Sequence, residues 1–261
     1  MEFDSWMPVY RQIAKDLDID PERDAEAARE LSSLLNENSK IADRDESLLS
    51  VERIMGGKRV YIFGAGPDLE EELSRLESEK ESSGVWIGGN TGDDVIITAD
   101  GATSVLMKSN IIPDIIVSDM DGSVEDQITC LSRESILFIH AHGDNVNRLR
   151  DVAPRLHGYV VGTTQVSPSE GGNLHNFGGF SDGDRAAFIA QHFGAKQIIL
   201  LGFNFNDVAE KIGDMGKKLS LNEKQRELKF KKLAWASVLL GLITSPQVKF
   251  YSQGYSIPIN R

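Results

Sequence analysis

Cationic side chains are scarce in this chain. Its 28 lysines and arginines face 40 aspartates and glutamates, giving a formal net charge of −12 at pH 7. That deficit argues against non-specific binding to nucleic acid, which needs a basic surface. Cysteine is nearly missing too. The single Cys130 cannot close an internal disulfide, which fits a reducing cytosol, and with no nucleophile signature around it the thiol reads as a small buried apolar group. Long apolar runs are lacking: the longest, near Leu233 to Ile243, is interrupted by Gly241 and is too short to span a bilayer. The opening residues, Met1-Glu2-Phe3-Asp4-Ser5, lack the basic and apolar parts of a secretory signal. There is no internal repeat and no low-complexity segment. The expectation is a soluble cytoplasmic protein with no nucleic-acid or membrane partner. With 40% hydrophobic and 26% charged residues it has enough apolar material for a core.

Periodicity divides the chain in two. Trp6, Tyr10, Ile13 and Leu17 recur at four-three-four spacing, the mark of one apolar helix face. Asp20-Pro21-Glu22 then reads as N-cap, first-turn proline and first-turn acid, and Ala25, Ala28, Leu31 and Leu35 carry a second helix to about Asn38. These helices hold no catalytic motif and are expected to pack on the main domain or on a second subunit of a homo-oligomer. From Lys58 the period changes. Buried-type strands are predicted at Arg59–Phe63, Val95–Ala99, Ile115–Val117, Ile136–His140, Tyr159–Val161 and Gln197–Leu201. Helices are predicted over Asp68–Lys80, Ala102–Ser109, Asn145–Val152, Asp184–Phe193 and Ser220–Ile243, with Val248–Tyr251 as a closing strand. Short apolar strands alternating with helices imply an α/β fold, a mainly parallel Rossmann-like three-layer sandwich with an N-terminal helical extension. The division is residues 1–55 and residues 56–261.

Acid at strand ends is what this chain has in place of a basic surface. Val95–Ala99 runs into Asp100-Gly101, Asp114–Val117 runs into Ser118-Asp119-Met120-Asp121-Gly122, and Gly178–Arg185 places Asp182, Gly183 and Asp184 before an Ala-rich helix. In an open parallel sheet the carboxyl edge is where ligands bind. Oxygen-only donors suit magnesium rather than zinc, and magnesium usually accompanies phosphate, so the pattern points to a magnesium-dependent enzyme acting on a nucleotide. Asp119 and Asp121 repel each other unless a cation sits between them, which makes them metal candidates with Asp182; a capped polar loop is the alternative. Asp182 and Asp184 also suit a helix N-terminus by themselves. Arg185 is a candidate phosphate partner, with a surface ion pair as its rival. Gly64-Ala65-Gly66-Pro67 serves equally as a phosphate loop or a plain strand-to-helix turn, and Gly64, Gly66 and Gly101 are counted among candidate nucleotide contacts. His140-Ala141-His142 has no neighbouring cysteine or third histidine to complete a zinc site, so His140, His142, Asp144 and Asn145 read as polar contacts to phosphate or substrate. Thr164 and Gln165, after the next strand, either read a heterocycle or ribose or form an ordinary turn. The lysines and arginine between Lys224 and Lys232 are a solvated face, or lean over an anion.

Taken in order, Asp100-Gly101-Ala102, Pro113-Asp114, Ser118-Asp119-Met120-Asp121 and Ser181-Asp182 with Ala186 resemble the thiamine pyrophosphokinase catalytic fold. The histidine segment and Gly178–Arg185 resemble more closely the archaeal 6-hydroxymethyl-7,8-dihydropterin pyrophosphokinases of the MptE type, over roughly Lys58 to Ile243. That resemblance implies transfer of a diphosphate from ATP to the hydroxymethyl group of a pterin, with release of AMP, in methanopterin or folate-type cofactor synthesis. It implies Asp119, Asp121 and Asp182 as magnesium ligands, Asp100 as a metal support or hydroxyl-orienting group, and Arg185 with the amides near Gly183 on the phosphates. Ser118 stands where the thiamine family has glycine and Gly122 where it has serine, which turns the expectation away from thiamine. Asn204 stands where the pterin enzymes are expected to carry an acid. The alternatives are a thiamine-type pyrophosphokinase, a glycosylation-associated transferase of related bacterial proteins, and a nucleotide-binding regulatory module without turnover.

Overall fold

Val60 and Ile62 point to one side of a strand and Tyr61 and Phe63 to the other, and all four are buried. A strand covered on both faces belongs in the interior of a parallel sheet. The computed structural model describes residues 1–83, 94–168, 172–206, 211–212, 218–219 and 222–251. Its strands are β1 (Arg59–Phe63), β2 (Asp94–Ala99), β3 (Ile115–Ser118), β4 (Ile136–Ala141), β5 (Val160–Thr164), β6 (Gln197–Leu201), a short antiparallel pair β7 (Lys211–Ile212) and β8 (Lys218–Leu219), and β9 (Gln247–Phe250). Seven of them form one sheet in the order β5-β4-β3-β2-β1-β6-β9, every pairing parallel. All seven therefore end on the same edge.

Nine α-helices occur among the described residues: α1 (Phe3–Leu17), α2 (Pro21–Glu37), α3 (Arg44–Met55), α4 (Leu69–Ser83), α5 (Ala102–Lys108), α6 (Val124–Leu131), α7 (Val146–Val152), α8 (Asp182–His192) and α9 (Glu223–Gly241). One sheet face meets α4 and α5, where Tyr61, Phe63 and Ile96 pack with Leu69, Leu73, Leu76 and Leu106. The other meets α8, which crosses β1, β2 and β3 with Ala186, Ala187, Phe188 and Ile189 fully buried. This is the expected three-layer sandwich. None of the described helices is long and apolar enough to cross a membrane.

The predicted N-terminal elements form as their spacing dictates. Trp6, Tyr10, Ile13 and Leu17 are the buried face of α1, and the Asp20 carboxylate accepts the Glu22 amide at 3.0 Å ahead of Pro21. Their side chains join the same apolar core as β3, β4 and α8. Two helices carry too little pattern to stand out in the sequence. Of α3 only Ser47, Val51 and Met55 are buried, and α6 is two turns long. The long last helix begins later than predicted, at Glu223, and residues 220 and 221 lie outside the described residues.

Candidate active site

Because the strands are parallel, segments far apart in sequence meet at their carboxyl edge. Asp100 follows β2, Asp119 follows β3, and Asp182 opens α8, which returns across both strands. One carboxylate oxygen from each lies within 4.8 Å of those of the other two. Asp100 adopts a left-handed backbone, φ 42°, which aspartate tolerates better than most residues. Its Oδ1 accepts from Ser118 Oγ at 2.8 Å, the Gly122 amide at 2.9 Å and Gln127 Nε2 at 3.1 Å. A Cβ on residue 122 would stand 2.9 Å from both Asp100 oxygens, so glycine is what lets the 119–122 turn close over the carboxylate.

The three acids are electrostatically unequal. Burial, and then the Asp119 charge, push the Asp100 carboxyl up to about 6 against the pull of its Ser118 and Gly122 hydrogen bonds. Asp182 lies well above the ordinary carboxylate range, first through burial and then through Asp119 and Asp100. Burial also opposes ionisation of Asp119. There His142, whose Nε2 lies 3.4 Å from Oδ2, prevails together with the Asp121 amide and Lys232, and holds the group below its usual range. Two reluctant carboxylates facing an ionised third form a site that a cation would complete, and three hard oxygen donors fit magnesium.

Asp121 is not drawn into this cluster. Its side chain is exposed, and its backbone amide donates to Asp119 Oδ1 at 3.0 Å, so it shapes the turn that presents Asp119. Asp184 is fully buried in the capping box of α8: it accepts the Phe180 amide at 2.9 Å, the Ser181 amide at 2.7 Å and the Ser181 hydroxyl. Asn145 ties strand ends together, accepting the His142 amide and donating to the carbonyls of Asp119 and His140. Thr164 Oγ1 accepts the Val166 amide. Gly64 and Gly66 solve a packing problem where β1 meets β6: a Cβ on Gly66 would lie 2.2 Å from the Gly202 carbonyl oxygen. A Cβ on Gly183 would strike the Phe203 ring at 2.8 Å, whereas one on Gly101, the N-cap of α5, would stand 3.7 Å from the Ala65 side chain. Asn204 donates to Asp68 at 2.8 Å in that neighbouring loop.

A cavity of about 320 Å³ opens beside the cluster. Of the residues predicted from sequence, Asp119, His140, His142, Asp144, Gln165, Asp182 and Arg185 line it; Asp100, Asp121, Asn145, Thr164, Gly183, Asp184 and the three loop glycines do not. The buried Arg185 guanidinium donates to the carbonyls of Gly179 at 3.0 Å and Phe180 at 2.7 Å. Of the basic stretch on α9 it is Lys232 that reaches the cavity, its Nζ 6.0 Å above the Phe180 ring. Sequence reasoning missed one wall altogether. Arg23 and Asp24 of α2 line the cavity; Arg23 pairs with Asp144 at 3.1 Å, and Asp24 is 2% exposed. In the sequence both look like ordinary first-turn residues of an amphipathic helix, and no signal separates them from Glu22.

The fold and this edge define a parallel α/β protein with a carboxylate cluster beside a substrate-sized cavity. The family model described as 6-hydroxymethylpterin diphosphokinase MptE-like matches residues 32–210, and the chain belongs to that family. It is 39% identical over 241 residues to the 6-hydroxymethyl-7,8-dihydropterin pyrophosphokinase of Pyrococcus furiosus, covering 92% of this chain and 93% of that one. The proteins of the same name from Methanocaldococcus jannaschii and Methanothermobacter thermautotrophicus are each 36% identical, over 248 and 242 residues, and also match more than nine-tenths of both chains.

Proposed function

We propose that this protein transfers a diphosphate group from ATP to the hydroxymethyl group of 6-hydroxymethyl-7,8-dihydropterin, releasing AMP, with magnesium held by Asp100, Asp119 and Asp182. The observation that carries this reading is the convergence of those three carboxylates, from three separate segments, beside a cavity that Asp119 and Asp182 line, in a chain of this family. The acceptor's hydroxyl oxygen attacks the β-phosphorus and gives up its proton to solvent, the bond from that phosphorus to the oxygen bridging it to the α-phosphorus breaks, and AMP departs with that oxygen. Such transition states ask mainly for alignment and charge neutralisation. Magnesium, when bound, supplies much of the neutralisation on the phosphate oxygens. The chain supplies the rest. Lys232 brings an exposed positive charge to the cavity, and Arg185, held by two carbonyls, brings a buried one. Gln127, Ser118 and the Gly122 amide keep Asp100 aimed at the cluster.

Asp119→Asn tests this directly. With ATP, magnesium and the dihydropterin alcohol, AMP release should fall by about two to three orders of magnitude, corresponding to the loss of about 3–4 kcal/mol of transition-state stabilisation. Circular dichroism of the variant should match the parent. Thiamine, offered in place of the pterin, should yield no AMP. Near-parental turnover by a folded Asp119→Asn protein would defeat the assignment.

A further inference from the structure

One corner of the cavity is built from groups whose hydrogen bonds dictate what they can offer a ligand. The Thr163 hydroxyl donates to the Ile139 carbonyl at 3.1 Å, so toward His140 Nδ1, 3.0 Å away, it can only accept. Nδ1 therefore carries the ring proton and Nε2 presents a lone pair. Nε2 is buried and makes no hydrogen bond: the Gln165 side chain stands beside it, but an unprotonated ring nitrogen and an amide oxygen are both acceptors, so each is left for a donor from a ligand. His140, 2% exposed, lines the cavity. Gln165, also buried and also lining it, is oriented from the other side. Its Nε2 donates to Asp24 Oδ2 at 2.6 Å. Asp24 is fixed in turn by the Tyr10 hydroxyl at 2.5 Å and the Gly143 amide at 2.7 Å. With its amide nitrogen committed to a carboxylate, Gln165 has its carbonyl left to offer. Arg185 adds a buried Nε–H with no partner. An acceptor lone pair, an amide carbonyl and a buried N–H donor fit the edge of a heterocycle that carries adjacent N–H donors and a carbonyl oxygen, the edge a 2-amino-4-oxo pteridine has. A buried polar atom without a partner costs free energy, and a ligand that satisfies it recovers that cost.

We infer that this corner is where the acceptor heterocycle is recognised: His140 Nε2 accepts a ring N–H, Gln165 accepts the neighbouring amino N–H, and Asp24, from the N-terminal helix α2, is the positioning residue that fixes the Gln165 amide. The inference rests on the pterin reading above and adds to it the residues that select the acceptor. It also gives the N-terminal helices a role, since α1 and α2 supply Tyr10 and Asp24.

The test is binding of 6-hydroxymethylpterin, followed by its own fluorescence without ATP or magnesium, beside the analogue that has oxygen in place of the 2-amino group. The parent should prefer the amino compound by about tenfold or more, the scale of one or two buried hydrogen bonds. Asp24→Asn allows the Gln165 amide to turn over and present N–H₂, and should cut that preference at least severalfold. Gln165→Met, which keeps the volume and touches neither carboxylate cluster nor helix cap, should do the same. His140→Leu should weaken both compounds about equally. In turnover, all three should raise the KM for the pterin and leave the KM for ATP near the parental value. If the parent binds the pterin and the folded variants keep its affinity and its preference, the recognition corner is wrong and the pyrophosphokinase reading stands. If the parent binds neither compound and turns over neither, both fall.

Discussion

Asp100 and Asp182 hold protons more tightly than free carboxylates because burial, and then the charge of Asp119, penalise their ionised forms, and this has a measurable consequence. A cation binds the ionised forms, so its affinity rises with pH through the folded-state value of Asp100, about 6, and further as Asp182 loses its proton. Asp119, held below its usual range, is ionised throughout and adds no slope above pH 5. In the ion-free protein the same two groups are protonated when folded at pH values where the unfolded chain has already released its protons. Their contribution to stability therefore declines as pH rises from the unfolded value of 3.8 through the folded one. His140, which is buried, and the more accessible His175 and His192 have values lowered first by desolvation, and they pull oppositely as pH falls below 6.5. The clean readout is therefore the difference magnesium makes. The rise in Tm on adding magnesium should be larger at pH 8 than at pH 5, and should largely vanish in Asp182→Asn. An equal rise at both pH values would show that these carboxylates are not where the ion binds.

At the scale of one element, α8 shows how capping and chemistry share a turn. Ser181 and Asp184 form the reciprocal cap, and Asp182 occupies the first helical position between them, facing Asp100 and Asp119. The adjoining cap amides stabilise Asp184 in its buried position. Replacing it with alanine strands the Phe180 and Ser181 amides, and unpartnered donors together with a lost cap cost about 2–4 kcal/mol. Asp184→Ala should therefore lower the urea midpoint without changing the slope, and should also reduce activity because the turn that aims Asp182 loosens. A variant within about 0.5 kcal/mol of the parent would mean that the first turn is held by the sheet and not by its cap.

At the scale of the whole molecule, the first three helices are part of one core. Trp6, Tyr10, Ile13, Leu31, Val51 and Met55 are each fully buried in the cluster that includes Phe138 and Phe188, and the Trp6 indole donates to the main-chain carbonyl of Gln165 at 2.8 Å. A large buried apolar side chain contributes about 2 kcal/mol, so those six together match the total stability of about 5–15 kcal/mol of a typical domain. A chain starting at Gly56 should accordingly lack a cooperative unfolding transition and bind the fluorescent pterin poorly. A soluble fragment with a sharp thermal transition would show instead that residues 56–261 fold on their own.

Local pattern sufficed wherever one residue type at one spacing has a single physical outcome. The short apolar strands alternating with helices, the four-three-four face of α1, the Asp20-Pro21 start of α2 and the acids directly following β2 and β3 were legible for that reason, as was the family resemblance in their order. Tertiary structure decided which acids meet. Asp119 and Asp121 are neighbours in sequence, yet the turn between them sends one carboxylate to the cluster and the other to solvent, while Asp100 and Asp182 arrive from β2 and α8. It also decided that Asp24 reaches the cavity, because that depends on contacts between segments more than a hundred residues apart. A sequence encodes local propensity residue by residue, whereas the meeting of distant side chains follows from strand order and the common direction of a parallel sheet.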